Sequence, residues 1–219
     1  MGMRYTDRGE AGRSLASALR QFRGRPDTVV LGLARGGVPV AAAAAAALQL
    51  PWDVLPVRKL GIPGLAETAF GALAWAGGGV VVRMLNRSLS DRLLSVGVRQ
   101  SALDEVESTA RAELEHRAGT YPGPRLPLKG RSVIVVDDGL ATGATMRAAV
   151  GAVRAAGAAT VVVAVPVASL EAQTTLEQAA DAVFSLFIPG GFRAVGSYYR
   201  DFRQVRDDDV VRLLGARPA

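Results

Sequence analysis

Ser132-Val-Ile-Val-Val-Asp-Asp-Gly-Leu-Ala-Thr-Gly-Ala-Thr145 decides how this chain is read. Val133 to Val136 are four branched apolar residues without a polar break, the pattern of a strand buried on both faces of a parallel sheet. The strand ends in two adjacent carboxylates, Asp137 and Asp138, and passes through a loop of small residues into Met146–Ala156, which reads as a helix. In parallel sheets ligands settle beyond the carboxyl ends of the strands, and free N–H groups at the start of the next helix face anions. Glycine and alanine let the backbone come close to such a ligand, and Thr142 and Thr145 add hydroxyl donors. Asp137 and Asp138 are wrong for a phosphate but right for a sugar diol, whose hydroxyls donate strong bonds to charged oxygens. A hairpin at Asp138-Gly139 is the competing reading. It fails because Leu-Ala-Thr-Gly-Ala-Thr does not alternate as a returning strand would, and no G-x-x-x-x-G-K-[ST] is present to make a P-loop.

Outward from this segment, Thr28–Leu33, Trp52–Val57, Val80–Leu85, Thr160–Val165 and Ala182–Leu186 are further Val-rich runs that read as strands. Val38–Leu48, Thr145–Ala156 and Leu170–Ala180 read as helices of about three turns between them. The alternation predicts an α/β fold, a mostly parallel sheet with helices on both faces. The alanines of Ala41–Ala47 favour helix and let it lie close to a sheet. Ser90–His116 reads as one or two amphipathic helices, and the prolines and glycine of Tyr121–Pro127 as a loop leading into the strand at Ser132.

Composition removes many chemistries. With no cysteine and a single histidine among 219 residues, the chain has no means to build a Cys/His zinc site, a cysteine nucleophile or a disulfide framework. His116 lies in a polar helical stretch and no G-x-S-x-G elbow is present, which argues against a serine triad. No uncharged stretch has the length of a membrane span, and the N-terminus lacks a basic segment before an apolar one, so a soluble cytoplasmic protein is expected. The net charge of +6 would suit an anionic substrate or a nucleic acid, but the basic residues are scattered without a block of like charge, which weighs against the nucleic acid.

VIVVDDGLATGAT resembles the 5-phosphoribosyl 1-diphosphate (PRPP) motif of type I phosphoribosyltransferases. In that family the acidic pair holds the ribose hydroxyls, a role falling here to Asp137 and Asp138, and the following loop, here Gly139 and Ala141, Thr142, Gly143, Ala144 and Thr145, holds the 5′-phosphate. Val30-Leu-Gly-Leu-Ala-Arg-Gly-Gly-Val-Pro-Val-Ala41 resembles the family's diphosphate loop, with Arg35 and the N–H groups of Gly36 and Gly37 as the grip. Arg58-Lys-Leu-Gly-Ile-Pro-Gly64 looks like the loop that closes over PRPP, with Lys59 on the diphosphate. Gly191–Phe202 resembles the hood, in which Phe192, Val195, Tyr198 and Tyr199 would meet the acceptor.

The resemblance implies one phosphoribosyltransferase domain over residues 1–219, with a hood formed by about 187–219 and N-terminal residues. It implies transfer of the phosphoribosyl group from PRPP to a nucleobase or amine with release of diphosphate, Arg35, Lys59, Asp137 and Asp138 being the catalytic set. Mg²⁺ is the implied cofactor, reached by Asp137 and Asp138 indirectly through ribose or water. The implied partners are PRPP and a small-molecule acceptor, with a homodimer allowed and no membrane. Ala141 stands where enzymes for 6-oxopurines usually carry an aspartate, so such purines are not the expected acceptors. The competing reading is a PRPP-binding regulator of RNA with little or no transferase activity; PRPP synthetases share the motif but carry two such domains.

Overall fold

The computed structural model describes residues 5–62, 65–75, 81–121 and 126–216. Five strands form one parallel sheet in the order β2-β1-β6-β7-β8: β1 (Thr28–Leu33), β2 (Trp52–Leu55), β6 (Ser132–Val136), β7 (Thr160–Val167) and β8 (Ala182–Phe187). The continuous apolar runs have the expected cause, because every residue of β1 is buried and the two faces of the sheet support separate cores. On one face Val30, Ile134, Val136 and Val162 meet α1 (Arg8–Ala18), α2 (Gly37–Leu48) and α7 (Asp207–Gly215). On the other, Val29, Leu31, Val133, Val135 and Val163 meet α5 (Ala144–Ala155) and α6 (Leu170–Glu177). Small residues set the helix spacing. A Cβ on Gly32 would come within 2.8 Å of Ala41 Cβ, and one on Gly12 would strike the Val40 carbonyl oxygen.

A second, antiparallel sheet of β3 (Val57–Ile62), β4 (Leu65–Trp75) and β5 (Val81–Leu85) corrects the sequence reading in three places. Trp52–Val57 is not one strand: it breaks at Pro56, which has no N–H to give to a ladder, and the chain leaves the parallel sheet there. Residues 58–62, expected as a loop, belong to β3. Their burial alternates as Leu60 and Ile62 turn inward and Lys59 outward, but glycines and two register shifts hide that alternation in the sequence; Pro63 and Gly64 lie outside the described residues. The strand expected at Val80–Leu85 is in this sheet, not the parallel one, and Val80 too lies outside the described residues.

Leu60, Phe70 and Leu73 pack against Leu93 of α3 (Arg87–Ser95) and Leu103, Ala110 and Leu114 of α4 (Gln100–Thr120). The polar stretch is therefore two helices, parted at Gly97, whose φ of +93° suits glycine. Of the loop expected at Tyr121–Pro127, residues 122–125 lie outside the described set. The N-terminal residues and the chain after β8 meet: Tyr5 donates its N–H to the Tyr198 carbonyl and accepts from Arg200 N–H.

Candidate functional site

Between β1 and β6 the sheet changes direction, since the chain runs from β1 to β2 on one side and returns to β6 on the other. Such a switch opens a crevice at the carboxyl ends of the strands. Both motif loops leave their strands at this point, residues 34–36 after β1 and residues 137–143 after β6. They touch. A Cβ on Gly37 would stand 2.5 Å from the Val136 carbonyl oxygen and 2.8 Å from Asp137 Cα, and one on Gly36 would collide with the Asp138 carboxylate. Glycine at both positions is a condition of the contact. The Ala34–Arg35 peptide is cis.

After the acidic pair, Gly139 lies under Val195, whose Cγ1 would be 2.6 Å from an added Cβ. Ala141 and Thr142 are exposed, with the Ala141 carbonyl held by Ser169 Oγ at 2.6 Å. Gly143, at φ +72°, begins α5, which has no side-chain cap. The first N–H groups of that helix have no helical acceptor and suit an anion.

The two carboxylates differ in their surroundings. Asp137 accepts the Asp138 N–H on Oδ1 at 2.9 Å and, among the described residues, makes no direct ion pair, the charge of Arg8 acting on it as the smallest of its influences. Burial and then the charge of Asp138 push its carboxyl well above the ordinary carboxylate range. Burial also raises Asp138, but Arg8 opposes the shift through contacts to Oδ2 from Nε at 2.9 Å and Nη2 at 2.8 Å. A raised carboxyl holds its proton more tightly in the folded than in the unfolded chain, so its contribution to stability falls as pH rises from about 4 through the folded-state value. Without ligand or Mg²⁺, Asp137→Asn should therefore melt at a higher temperature than the parent at pH 7 and converge with it near pH 4. Thermal unfolding across that range checks this, and a lower melting temperature at pH 7 would contradict it.

Arg35 places Nη1 3.6 Å from Asp207 Oδ2 at the start of α7, and Tyr121 donates its hydroxyl to Asp207 Oδ1 at 3.0 Å. Arg58 pairs with Glu113 of α4. Burial, joined by the like charges of Arg117 and Arg35, lowers its guanidinium affinity for the proton, and its Nε is buried without a hydrogen-bond partner among the described residues. A cation-rich patch thus adjoins the loop after β1. Lys59 is exposed one residue further along β3.

The aromatic residues divide. Tyr199 is 3% exposed, packed between Tyr5 and Phe202, and its hydroxyl donates to the Asp138 carbonyl at 2.6 Å. It clasps the acidic loop, and its ring, expected from sequence to meet the acceptor, lies buried between these neighbours. Phe192 and Tyr198 stack on each other at 5.9 Å and are half-buried; Val195 carries this turn onto Gly139. Sequence reasoning missed Arg8, Tyr121 and Asp207. The acidic run Asp207-Asp208-Asp209 is a helix-start signal that could have revealed α7; Arg8 has no local signal.

For a divalent cation, the described residues offer the Asp137–Asp138 pair and no group of three or more His, Cys, Asp or Glu. This donor set fits Mg²⁺ that takes most of its coordination from substrate oxygens and water. No helix of the described residues is long and apolar enough to cross a membrane.

Residues 76–200 match the family model described as phosphoribosyl transferase domain. The chain is 46% identical over 212 residues to the Mycobacterium tuberculosis protein named "Putative phosphoribosyl transferase Rv0571c". That match takes in 96% of this chain and 46% of the relative, so the chain spans about half the length of the curated relatives it matches. Among solved structures, the crystal structure of TT1426 from Thermus thermophilus is 43% identical, with a TM-score of 0.79 over 97% of this chain and 98% of that one.

Proposed function

The chain belongs to the phosphoribosyltransferase family, and from that premise we propose that it binds PRPP across β1 and β6 and transfers the 5-phosphoribosyl group to a small nucleophilic acceptor, releasing diphosphate. The observation that carries this reading is the contact of the two glycine loops at the switch point, which puts an arginine-bearing loop against a carboxylate pair and an uncapped helix start. Those three groups match the three parts of PRPP.

The ribose hydroxyls donate to Asp137 and Asp138, and the 5′-phosphate takes the hydroxyls of Thr142 and Thr145 with the free N–H groups at the start of α5. Arg35 and the backbone of Gly36 and Gly37 hold the diphosphate, with Lys59 of β3 as a second cation. Asp137 and Asp138 would hold Mg²⁺ through ribose or water, and the bound ion would supply positive charge to the departing diphosphate. The anomeric carbon develops positive charge as its bond to diphosphate breaks, so the site works by positioning and charge neutralisation. Phe192 and Tyr198 offer flat faces to a heterocyclic acceptor, and Val195 completes that wall. Ala141 has no proton-accepting group to give a 6-oxopurine.

Acceptor-dependent diphosphate release is the test of the reaction. The division of labour has its own: Arg35→Ala should weaken PRPP and free diphosphate by about tenfold or more, the scale of one charge-assisted bond, and leave ribose 5-phosphate nearly unchanged. Calorimetry with the three ligands reads this, and equal losses for all three would show that Arg35 supports the fold through Asp207.

A further inference from the structure

Arg8 enters the site from the far end of the chain, at the first turn of α1, and all three of its guanidinium nitrogens are committed. Nε and Nη2 both contact Asp138 Oδ2, at 2.9 and 2.8 Å, and Nη1 donates to the Arg203 carbonyl at 2.8 Å. Its guanidinium carbon lies 4.0 Å from the centre of the Phe202 ring. The Arg8 and Asp138 side chains are 11% and 14% exposed, so the pair is largely withdrawn from water. The contacts all fall on Oδ2 and none on Oδ1. Tyr199 grips the carbonyl of the same residue. The N-terminal helix and the chain after β8 therefore converge on one residue of the acidic pair.

We propose that Arg8 is a positioning residue for the phosphoribosyl site, fixing Asp138 by one carboxylate oxygen so that the other is aimed at the ribose, and coupling the acceptor-side segment to the sugar-binding loop. This rests on the reading of Asp138 as a ribose ligand. A staple made only for stability would gain little from this choice of partner, because a buried ion pair is seldom more stabilising than packed apolar residues. A carboxylate that must meet a diol at a set angle does benefit from a planar fork holding its other oxygen. With its nitrogens already engaged, Arg8 acts through Asp138 rather than on the ligand.

Calorimetry of the parent, Arg8→Lys and Arg8→Met with Mg²⁺ and PRPP, ribose 5-phosphate or diphosphate tests this. Arg8→Met keeps an apolar stem against Phe202 but leaves Asp138 unheld; it should lose roughly tenfold or more in affinity for PRPP and ribose 5-phosphate and keep its affinity for diphosphate. Arg8→Lys retains the charge without the fork, should fold as the parent does, and should recover part of the loss. If Arg8→Lys matches the parent for both ribose ligands, or loses all three ligands equally, the positioning role is overturned. A parent that binds diphosphate but neither ribose ligand would overturn the ribose assignment itself, a result separable from any difference between variants.

Discussion

Gly37→Ala should cost the protein at least about a hundredfold in PRPP affinity, the scale of forfeiting about two charge-assisted bonds of about 1.5 kcal/mol each. The added Cβ would lie 2.5 Å from the Val136 carbonyl oxygen and 2.8 Å from Asp137 Cα, both backbone atoms. Neither has a side chain's freedom to move aside. Val136 is fixed in the ladder between β1 and β6, opposite Gly32. The start of α2 must therefore retreat from β6, which separates the arginine loop from the acidic loop where the proposed ligand would bridge them. Overpacking of this kind costs about 1–3 kcal/mol of stability, so the variant should still fold while binding poorly. Gly190→Ala, where an added Cβ meets nothing within 4 Å, is the control and should bind as the parent does. Affinity for PRPP within about threefold of the parent in Gly37→Ala would mean that the two loops do not share a ligand.

Asp137→Asn combined with Asp138→Asn should be as damaging to binding and differ in which ligands it affects. Each carboxylate that accepts a ribose hydroxyl contributes about 1.5–3 kcal/mol as a charge-assisted bond. The sites are adjacent and their effects will not simply add, so the expected loss for PRPP is at least about a hundredfold. Ribose 5-phosphate should suffer comparably and free diphosphate should be spared, the reverse of the Arg35→Ala pattern. The Asn side chains preserve shape and remove charge, which isolates the diol contact from the packing around it. Binding of PRPP and ribose 5-phosphate at parental strength by the double variant would refute the sugar role of the pair.

The strands β1, β6 and β7 were legible because each is a short Val-rich run, β2 and β8 because apolar residues dominate theirs, and the loop after β6 because two carboxylates followed by small residues suit few purposes. Their order was not. That β6 lies beside β1, which makes the crevice, depends on pairings 104 residues apart, such as Thr28 with Ser132, and no local pattern records them. The second sheet was hidden for another reason: Gly61 and Gly71 interrupt its alternation, and Arg58 and Lys59, after the first residue of β3, look like solvent-facing loop residues when met in sequence. At the site, the backbone of Gly36 and Gly37 meets Asp137 and Asp138 while the Arg35 side chain turns to Asp207, and Tyr199, read from its aromatic segment as an acceptor contact, is buried with its hydroxyl on the Asp138 carbonyl. Arg8 was invisible because its partner is 130 residues away and one arginine among many carries no mark.

Diphosphate release by the purified protein, supplied with PRPP, Mg²⁺ and a panel of adenine, orotate, uracil, the three 6-oxopurines and simple amines, tests the transferase reading most directly. We expect release that depends on the acceptor and on Mg²⁺, with the 6-oxopurines among the poor acceptors. PRPP bound with Mg²⁺ but no diphosphate released with any member of the panel, together with salt-sensitive binding of RNA, would contradict it and make the protein a PRPP-binding regulator.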